Sequence, residues 1–319
     1  MECYFGIDVG SVSTNFVLIG PEGKVIKKLY LRTHADPIKA IKTGFLDFNG
    51  ETLDGCDIKG VGATGSGRQL AAIMVGADLI KNEITAHAVA AIHSCPQVRT
   101  VLEIGGQDSK IILIQNGVAV DFGMNTICAA GTGSFLEQQS NRINISIEDF
   151  GDYALRSLSP SAIAGRCTVF AETDMIHKQQ QGHAVEDIIA GLCHSLVRNY
   201  LNTVAKGKKI EEPILFQGGV AANKGIVDAF KKILGKEIIV PEYFDSMGAL
   251  GAALLAKDKM HKSSSASKFK GPEKIINSEF KVVSDICKDC GESCEIERYT
   301  ENGIEVAVRG GRCGKWDNQ

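Results

Sequence analysis

At 319 residues, 44% of them hydrophobic, with 35 glycines and only 7 prolines, the chain has room for two cores and reads as a compact globular protein, not a fibrous or disordered one. A net charge of −3 argues against a nucleic-acid footprint, and no apolar run approaches the ~20 residues of a membrane span. The N-terminus MECYFGIDVG enters a strand pattern without a charged leader, so a cytoplasmic protein is expected, and its ten cysteines read as reduced thiols or metal ligands.

The first element in chain order is a strand running into DVGSVSTNFVLI (8–19), followed by the turn GPEG (20–23) and the strand KVIKKLYL. Helical patterns follow in DPIKAIKTGFLDF and NEITAHAVAAIHS, with GATGSGR (62–68) between them. That run lacks the lysine and spacing of a P-loop, and its Arg68 suits a surface position, a partner contact or a reporter of nucleotide state. EIGGQDSKIILI (103–114) lies over residues 8–19 without gaps, 95 residues later, and is again followed by a turn, QNG (115–117), and a strand, VAVDFGM. Each copy is strand, acidic residue, glycine-containing turn and strand, so each turn presents backbone N–H groups to an anion. The duplication predicts two α/β lobes, residues 1–97 and 98–257, facing one cleft.

MNTICAAGTGSFLEQQ (124–139) then places Cys128 before a glycine-rich turn and a helix, with no second cysteine within thirty residues. A one-chain metal site usually shows a close cysteine pair, and a catalytic cysteine wants a nearby base. Cys167 in GRCTVFAETDMI stands in a similar setting, and both thiols fall near helix N-termini, where the dipole favours negative charge. Cys3, Cys56, Cys95 and Cys193 read as small buried hydrophobes. After the long helix HAVEDIIAGLCHSLVRNYLNTVAK, ILFQGGVAANKGI (214–226) is a strand ending at Gly218 and Gly219 and leading into a helix near Asn223. Glycines there let a flat ring approach the backbone.

From residue 258 the composition turns polar, and KDKMHKSSSASKFKGPEK reads as a linker to a Cys-rich C-terminal extension, 258–319. Cys287, Cys290, Cys294 and Cys313 form C-x2-C-x3-C-x18-C, four soft ligands suited to structural zinc or an iron–sulfur cluster, and so short a segment gains stability from a metal.

GIDVGSVST, EIGGQDSK and FQGGVAANKG resemble the phosphate-1, phosphate-2 and adenosine motifs of the acetate and sugar kinase, chaperone and actin superfamily. MNTICAAGTGSFLE and GRCTVFAETDMI closely resemble one branch of it, the ATP-dependent activators of 2-hydroxyacyl-CoA dehydratases and related subunits of benzoyl-CoA reductases. The resemblance covers residues 3 to about 257. It implies two ribonuclease-H-like, actin-like ATPase lobes around a nucleotide cleft, with ATP/ADP and Mg²⁺ as cofactors. It also implies a homodimer in which Cys128 and Cys167 of two copies hold one [4Fe–4S] cluster, since a two-fold axis doubles a ligand set.

Carried over residue by residue, Asp8 would anchor the Mg²⁺ water shell, with Glu103 and Gln107 as further catalytic groups. Gly10, Ser11, Val12 and Ser13 would meet the phosphates, as would Gly105, Gly106, Gln107 and Asp108. Gly131, Thr132 and Gly133 would also border the nucleotide, and Gly218, Gly219 and Asn223 would hold the adenosine. Glu103 stands where the family often has aspartate, and the extra methylene moves its carboxylate. The implied activity is ATP-driven delivery of a low-potential electron from the cluster to a partner iron–sulfur acceptor, a 2-hydroxyacyl-CoA dehydratase or a double-cubane cluster protein. Ferredoxin or flavodoxin would supply the electron, and neither nucleic acid nor membrane takes part. A small-molecule kinase of the same superfamily is the alternative enzyme, and an actin-like assembly protein the non-catalytic one.

Overall fold

The computed structural model describes residues 1–48, 53, 55–125, 128–263, 265–312 and 315–316. Contacts divide the chain into two compact units, Met1–Glu83 with Gly248–Gln319, and Ile84–Met247. The divisions thus fall at 83/84 and 247/248, beside the boundaries near 97 and 257 drawn from the sequence.

In the first unit, β1 (Glu2–Val9), β2 (Ser13–Ile19) and β3 (Val25–Arg32) form the antiparallel meander that the hairpin pattern predicts. After helix α1 (Pro37–Phe48), β4 (Asp57–Thr64) joins β1 in parallel; α2 (Arg68–Val75) and β5 (Leu79–Ile80) follow, giving the order β3-β2-β1-β4-β5. Helix α1 buries Ile41, Phe45 and Phe48 at helical spacing. Phe45 and Phe48 meet Phe5 and Phe16 of the sheet in an aromatic cluster, with Phe5 and Phe45 stacked at 5.3 Å between ring centres.

The second unit repeats the plan. After α3 (Glu83–Ser94) come β6 (Thr100–Ile104), β7 (Ser109–Gln115) and β8 (Val118–Asn125), again an antiparallel meander. Helices α4 (Gly133–Ile143), α5 (Ile147–Leu155), α6 (Thr168–Gln180) and α7 (Val185–Thr203) precede β9 (Ile214–Gln217), α8 (Lys224–Leu234) and β10 (Ile238–Ile239). The sheet order β10-β9-β6-β7-β8, with β9 parallel to β6, matches the first unit strand for strand. The duplication read in residues 8–19 and 103–114 is therefore architectural. The halves differ after their third strands: residues 33–36 lead directly to α1 in the first unit, whereas the second inserts α4, α5 and α6 before α7, and this insertion carries Cys128 and Cys167.

The chain then returns to the first unit through α9 (Met247–Lys262). Its alanine-rich face lies so close to the sheet that a Cβ on Gly6 would sit 1.9 Å from the Ala249 carbonyl oxygen, and one on Gly62 2.2 Å from that of Ala252. Beyond it come α10 (Pro272–Asn277) and the antiparallel sheet of β11 (Phe280–Ile286), β12 (Glu295–Glu301) and β13 (Ile304–Gly310). The polar stretch read as a linker is tied down. Asp78 accepts from Ser267 Oγ at 2.6 Å and Lys268 N at 2.8 Å, and Lys270 N donates to Val75 O at 3.0 Å. Ile275, Phe280, Tyr299 and Ala307 pack into the same core as the Phe5 cluster. The extension thus completes the first unit's core.

Ile275 is fully buried, so Ile275→Ala should cost about 2–5 kcal/mol of stability, read as a lower denaturant midpoint of the full chain. An unchanged midpoint would show that the extension folds apart from the ATPase core.

Candidate functional site

In the first unit the turn Gly10–Ser13 closes through Gly10 N to Ser13 O at 2.8 Å, and Thr33 pins it from outside. Thr33 Oγ1 donates to Gly10 O at 3.0 Å, and Thr33 N to Val12 O at 2.8 Å. Ser11 is exposed at the tip, with Gly10, Val12 and Ser13 half-buried. Asp8 lies at the end of the central strand, opposite Asn15 on β2 and Thr64 on β4. Directly paired residues share a sheet face, so Asn15, Asp8 and Thr64 form one row of oxygen donors. Asn15 Oδ1 and Thr64 Oγ1 are buried without hydrogen-bond partners among the described residues. Two glycines frame the Asp8 carboxylate: a Cβ on Gly65 would lie 2.4 Å from Oδ1, and one on Gly248 2.0 Å from Oδ2. Gly65, at φ +90°, belongs to the GATGSGR run, and Gly248 to the first turn of α9. Arg68 in that run reaches Gly65 O at 2.9 Å.

The second unit places Lys110, Glu103 and Gln217 at the corresponding positions of β7, β6 and β9. Lys110 Nζ lies 3.1 Å from Glu103 Oε2 and 2.6 Å from Asp108 Oδ2, with Lys110 and Glu103 almost wholly buried. Burial alone would lower the Lys110 ammonium, but the two carboxylates outweigh it and hold the group above the usual lysine range. Glu103 turns its other oxygen toward two loops: Oε1 would lie 3.3 Å from a Cβ on Gly105 and 2.7 Å from one on Gly218, which has φ +89°. The extra methylene of glutamate thus lets one carboxylate meet Lys110 with one oxygen and the glycine loops with the other. Beside this row, Gln217 Nε2 donates to His87 Nδ1 at 2.7 Å. Burial, helped by the Lys110 charge, pushes His87 down to about 3 and keeps the ring neutral.

Around that row, Gly105 N donates to Asp108 O at 3.0 Å, and Gln107 is exposed at the tip. Asn223 Oδ1 accepts from Ile226 N at 3.1 Å and caps α8, while its Nδ2 is buried without a partner among the described residues. Gly219 opens the short turn between Gly218 and Asn223. The residues 131–133 take a role that the sequence did not announce. Thr132 is fully buried, its hydroxyl engaged by Ala129 O at 2.8 Å. Gly133 N donates to Gly105 O and Ser134 N to Gly106 O, both at 2.9 Å, and Ser134 Oγ donates to Gly106 O at 2.6 Å. The first turn of α4 is bonded to the glycine loop.

Cys128 and Cys167 are both half-buried and both occupy the residue before a helical turn, Cys128 ahead of Ala129–Gly131 and Cys167 ahead of α6. Asn125 brackets Cys128, accepting from its N–H at 3.1 Å and donating to its carbonyl at 2.8 Å. Next to Cys167, Val169 and Phe170 are each 66% exposed, an apolar pair where a soluble chain would ordinarily place polar groups. Among the described residues no three His, Cys, Asp or Glu side chains converge on a metal position. Of the other cysteines, Cys3 and Cys193 are buried as expected, and Cys56 and Cys95 are half-buried. Burial, reinforced by the nearby Cys56, pushes the Cys3 thiol up to about 12.

In the extension, Cys287, Cys290 and Cys294 lie in the connection between β11 and β12, and Cys313 lies outside the described residues. Cys287 and Cys294 are buried and Cys290 is exposed. Arg312 N donates to Cys294 Sγ at 3.1 Å and Trp316 Nε1 to Cys287 Sγ at 3.3 Å.

Sequence reasoning singled out Asp8 and Glu103 but missed the groups that set their surroundings, namely Asn15, Thr64, Lys110, Gln217 and His87. For Lys110 and Asn15 the gapless overlay of the two motifs already aligned the pair.

Residues 5–256 match the model of the BadF/BadG/BcrA/BcrD ATPase family. The chain is 35% identical to the (R)-2-hydroxyglutaryl-CoA dehydratase activating ATPase of Acidaminococcus fermentans, over 81% of this chain and 98% of that one. It is 38% identical to the 2-hydroxyisocaproyl-CoA dehydratase activator of Clostridioides difficile, over 65% of this chain and 77% of that one. The solved structure of the activator of the 2-hydroxyisocaproyl-CoA dehydratase from Clostridium difficile with bound ADPNP superimposes with a TM-score of 0.74 at 31% identity, covering 82% of this chain and 97% of that chain. With the duplicated sheets, the acid at the end of each central strand and the loop bonded to the cysteine-bearing insertion, these likenesses place the chain in the BadF/BadG/BcrA/BcrD ATPase family.

Proposed function

We propose that this ATPase uses ATP hydrolysis to deliver single low-potential electrons from a [4Fe–4S] cluster, held by Cys128 and Cys167 of two copies, to a partner iron–sulfur enzyme. The acceptor would be of the 2-hydroxyacyl-CoA dehydratase type or a related double-cubane protein, with ferredoxin or flavodoxin as the source of electrons. The observation that carries this reading is the bonding of the Gly105–Gly106 loop to the α4 turn, because that turn begins five residues after Cys128. A phosphate-binding loop so joined cannot move without displacing the segment that holds the thiol.

The donor chemistry of each site fits the group assigned to it. Mg²⁺ takes few carboxylates and keeps several waters, and Asp8 with the unpartnered oxygens of Asn15 and Thr64 offers one carboxylate and two neutral oxygens. Iron–sulfur clusters are held by cysteine thiolates. Two half-exposed cysteines per chain, beside exposed Val169 and Phe170, suit a site completed by a second copy. When bound, the cluster supplies one-electron redox chemistry.

The chain's own residues do the rest. Ser11 and Ser13 would donate to phosphate oxygens in the first unit, with Gly10 shaping the turn because its N–H is held by Ser13 O, and Asp8 would orient the waters of a bound metal. In the second unit the loop of Gly105, Gly106, Gln107 and Asp108 meets the phosphates, and Gly218 and Gly219 leave room for the adenosine. Glu103 Oε1 accepts a proton from the attacking water, while Lys110 on Oε2 orients the carboxylate. The buried thiols of the extension, with N–H groups aimed at two sulfurs, form with Cys290 and Cys313 a separate structural site for zinc or a second cluster.

Asp8→Ala should lower Mg-dependent hydrolysis by about 10²–10³-fold, the scale for one preorganised electrostatic group. Glu103→Gln should lower it by about 10²–10⁴-fold as a lost general base. Both variants should keep the cluster iron found in the wild type, measured as iron and sulfide after anaerobic purification. Loss of iron with normal hydrolysis in either would mean that the roles of the two regions are exchanged.

Replacing Cys128 or Cys167 by serine should remove the bridging cluster and its visible absorption while nucleotide affinity, measured by calorimetry, stays within about threefold. If both variants keep the cluster, the reading fails.

A further inference from the structure

Helix α7 follows the cysteine-bearing insertion and packs against it, and one of its faces grips the irregular stretch leading into Cys167. Ser195 Oγ donates to Ala164 O at 2.5 Å and an Arg198 guanidinium nitrogen to Ile163 O at 2.8 Å. Asn199 Nδ2 donates to Gly165 O at 2.9 Å and Arg166 O at 3.2 Å. Asn199 differs from the other two in what its remaining amide atom faces. The side chain is 2% exposed, and Oδ1 has no hydrogen-bond partner among the described residues. It lies 2.9 Å from the position a Cβ on Gly131 would take, and Gly131 is three residues after Cys128. One buried carboxamide therefore reaches toward the segments of both cysteines, bonded to one and filling the space that a side chain at Gly131 of the other would need.

Leaving a buried amide oxygen unpaired is costly, and an asparagine with two good donors and an idle acceptor is held for its donors and its shape. The contact also accounts for glycine at 131. An added methyl would have to displace Oδ1, and Nδ2 is already fixed by two carbonyls, so the displacement passes along the side chain to Arg166 and Cys167. The next residue of α7 ties the same helix to the phosphate-loop strand, through Tyr200 Oη to Lys110 O at 2.6 Å.

We propose that Asn199 is a positioning residue that fixes the Cys128 and Cys167 segments relative to each other, so that a displacement at Gly131 is felt at Cys167 through it. The proposal rests on the reading of these two cysteines as cluster ligands for its purpose, but the linkage belongs to the protein alone and is testable without the cluster.

The test is a double-mutant cycle on the full chain, stripped of iron, with alkylation of Cys128 and Cys167 by iodoacetamide followed by mass spectrometry. Asn199→Ala should speed alkylation of Cys167 by about tenfold, the opening that follows when the Gly165 and Arg166 carbonyls lose their donor. Asn199→Leu keeps about the same size but cannot donate, and it should behave like the alanine variant. Gly131→Ala alone should also speed Cys167. The double variant Gly131→Ala/Asn199→Ala should match Asn199→Ala alone, because the methyl acts through the carboxamide.

In the cluster-loaded protein the same variants should share one shifted midpoint potential. Gly131→Ala that leaves Cys167 at the wild-type rate, or effects of the two substitutions that multiply, would overturn the linkage. Should Asn199→Ala fail to fold, Gly131→Ala still decides. A wild-type protein that holds no cluster would sink the proposed function while leaving the alkylation result standing.

Discussion

A helix must find acceptors for the N–H groups of its first turn, and α4 finds them in the phosphate loop. The capping residue Thr132 does not serve α4, because its hydroxyl is turned back to Ala129 O. Gly133 and Ser134 instead give their N–H groups to Gly105 O and Gly106 O, and Ser134 adds its hydroxyl. These three bonds fasten the start of α4, five residues after Cys128, to the loop. The second unit's insertion is built on this seam. On its far side, α7 secures the segment of the other cysteine through Ser195, Arg198 and Asn199.

Duplication supplied two equivalent rows, and their neighbours made them chemically different. Asp8 sits between an amide oxygen and a hydroxyl, an all-oxygen setting that suits a hydrated divalent cation. Glu103 sits between an ammonium and an amide. Lys110, nearly wholly buried, lies 3.1 Å from the second acid, so that acid is paired with a cation from within the protein. The same strand–acid–turn–strand unit thus sets one acid in a row with Asn15 and Thr64 and braces the other with an ammonium.

The hairpin repeat was legible because a gapless alignment of twelve residues records strand, acid and turn together, and both sheets follow from it. The positions of Cys128 and Cys167 ahead of helical turns were legible for the same local reason. The partners of Asp8 and Glu103 were not, because cross-strand neighbours such as Thr64 and Gln217 are set by sheet register over more than fifty residues. Asn199 looked like any polar residue on a long helix, since only tertiary packing reveals that it is buried. The extension misled for a compositional reason. Its serines and lysines signal a linker, yet Asp78 satisfies their polar groups, and Ile275 and Phe280 supply the apolar contacts that fasten the segment to the first core.

The central claim is that occupancy of the phosphate loop is felt at the cysteine-bearing turn. Amide hydrogen exchange of the full chain, compared with and without Mg²⁺ and a non-hydrolysable ATP analogue, tests it directly. The seam predicts that nucleotide slows exchange in the 105–108 loop and, to a similar degree, in residues 129–136. Protection confined to 105–108, with 129–136 exchanging as in the free protein, would contradict the account.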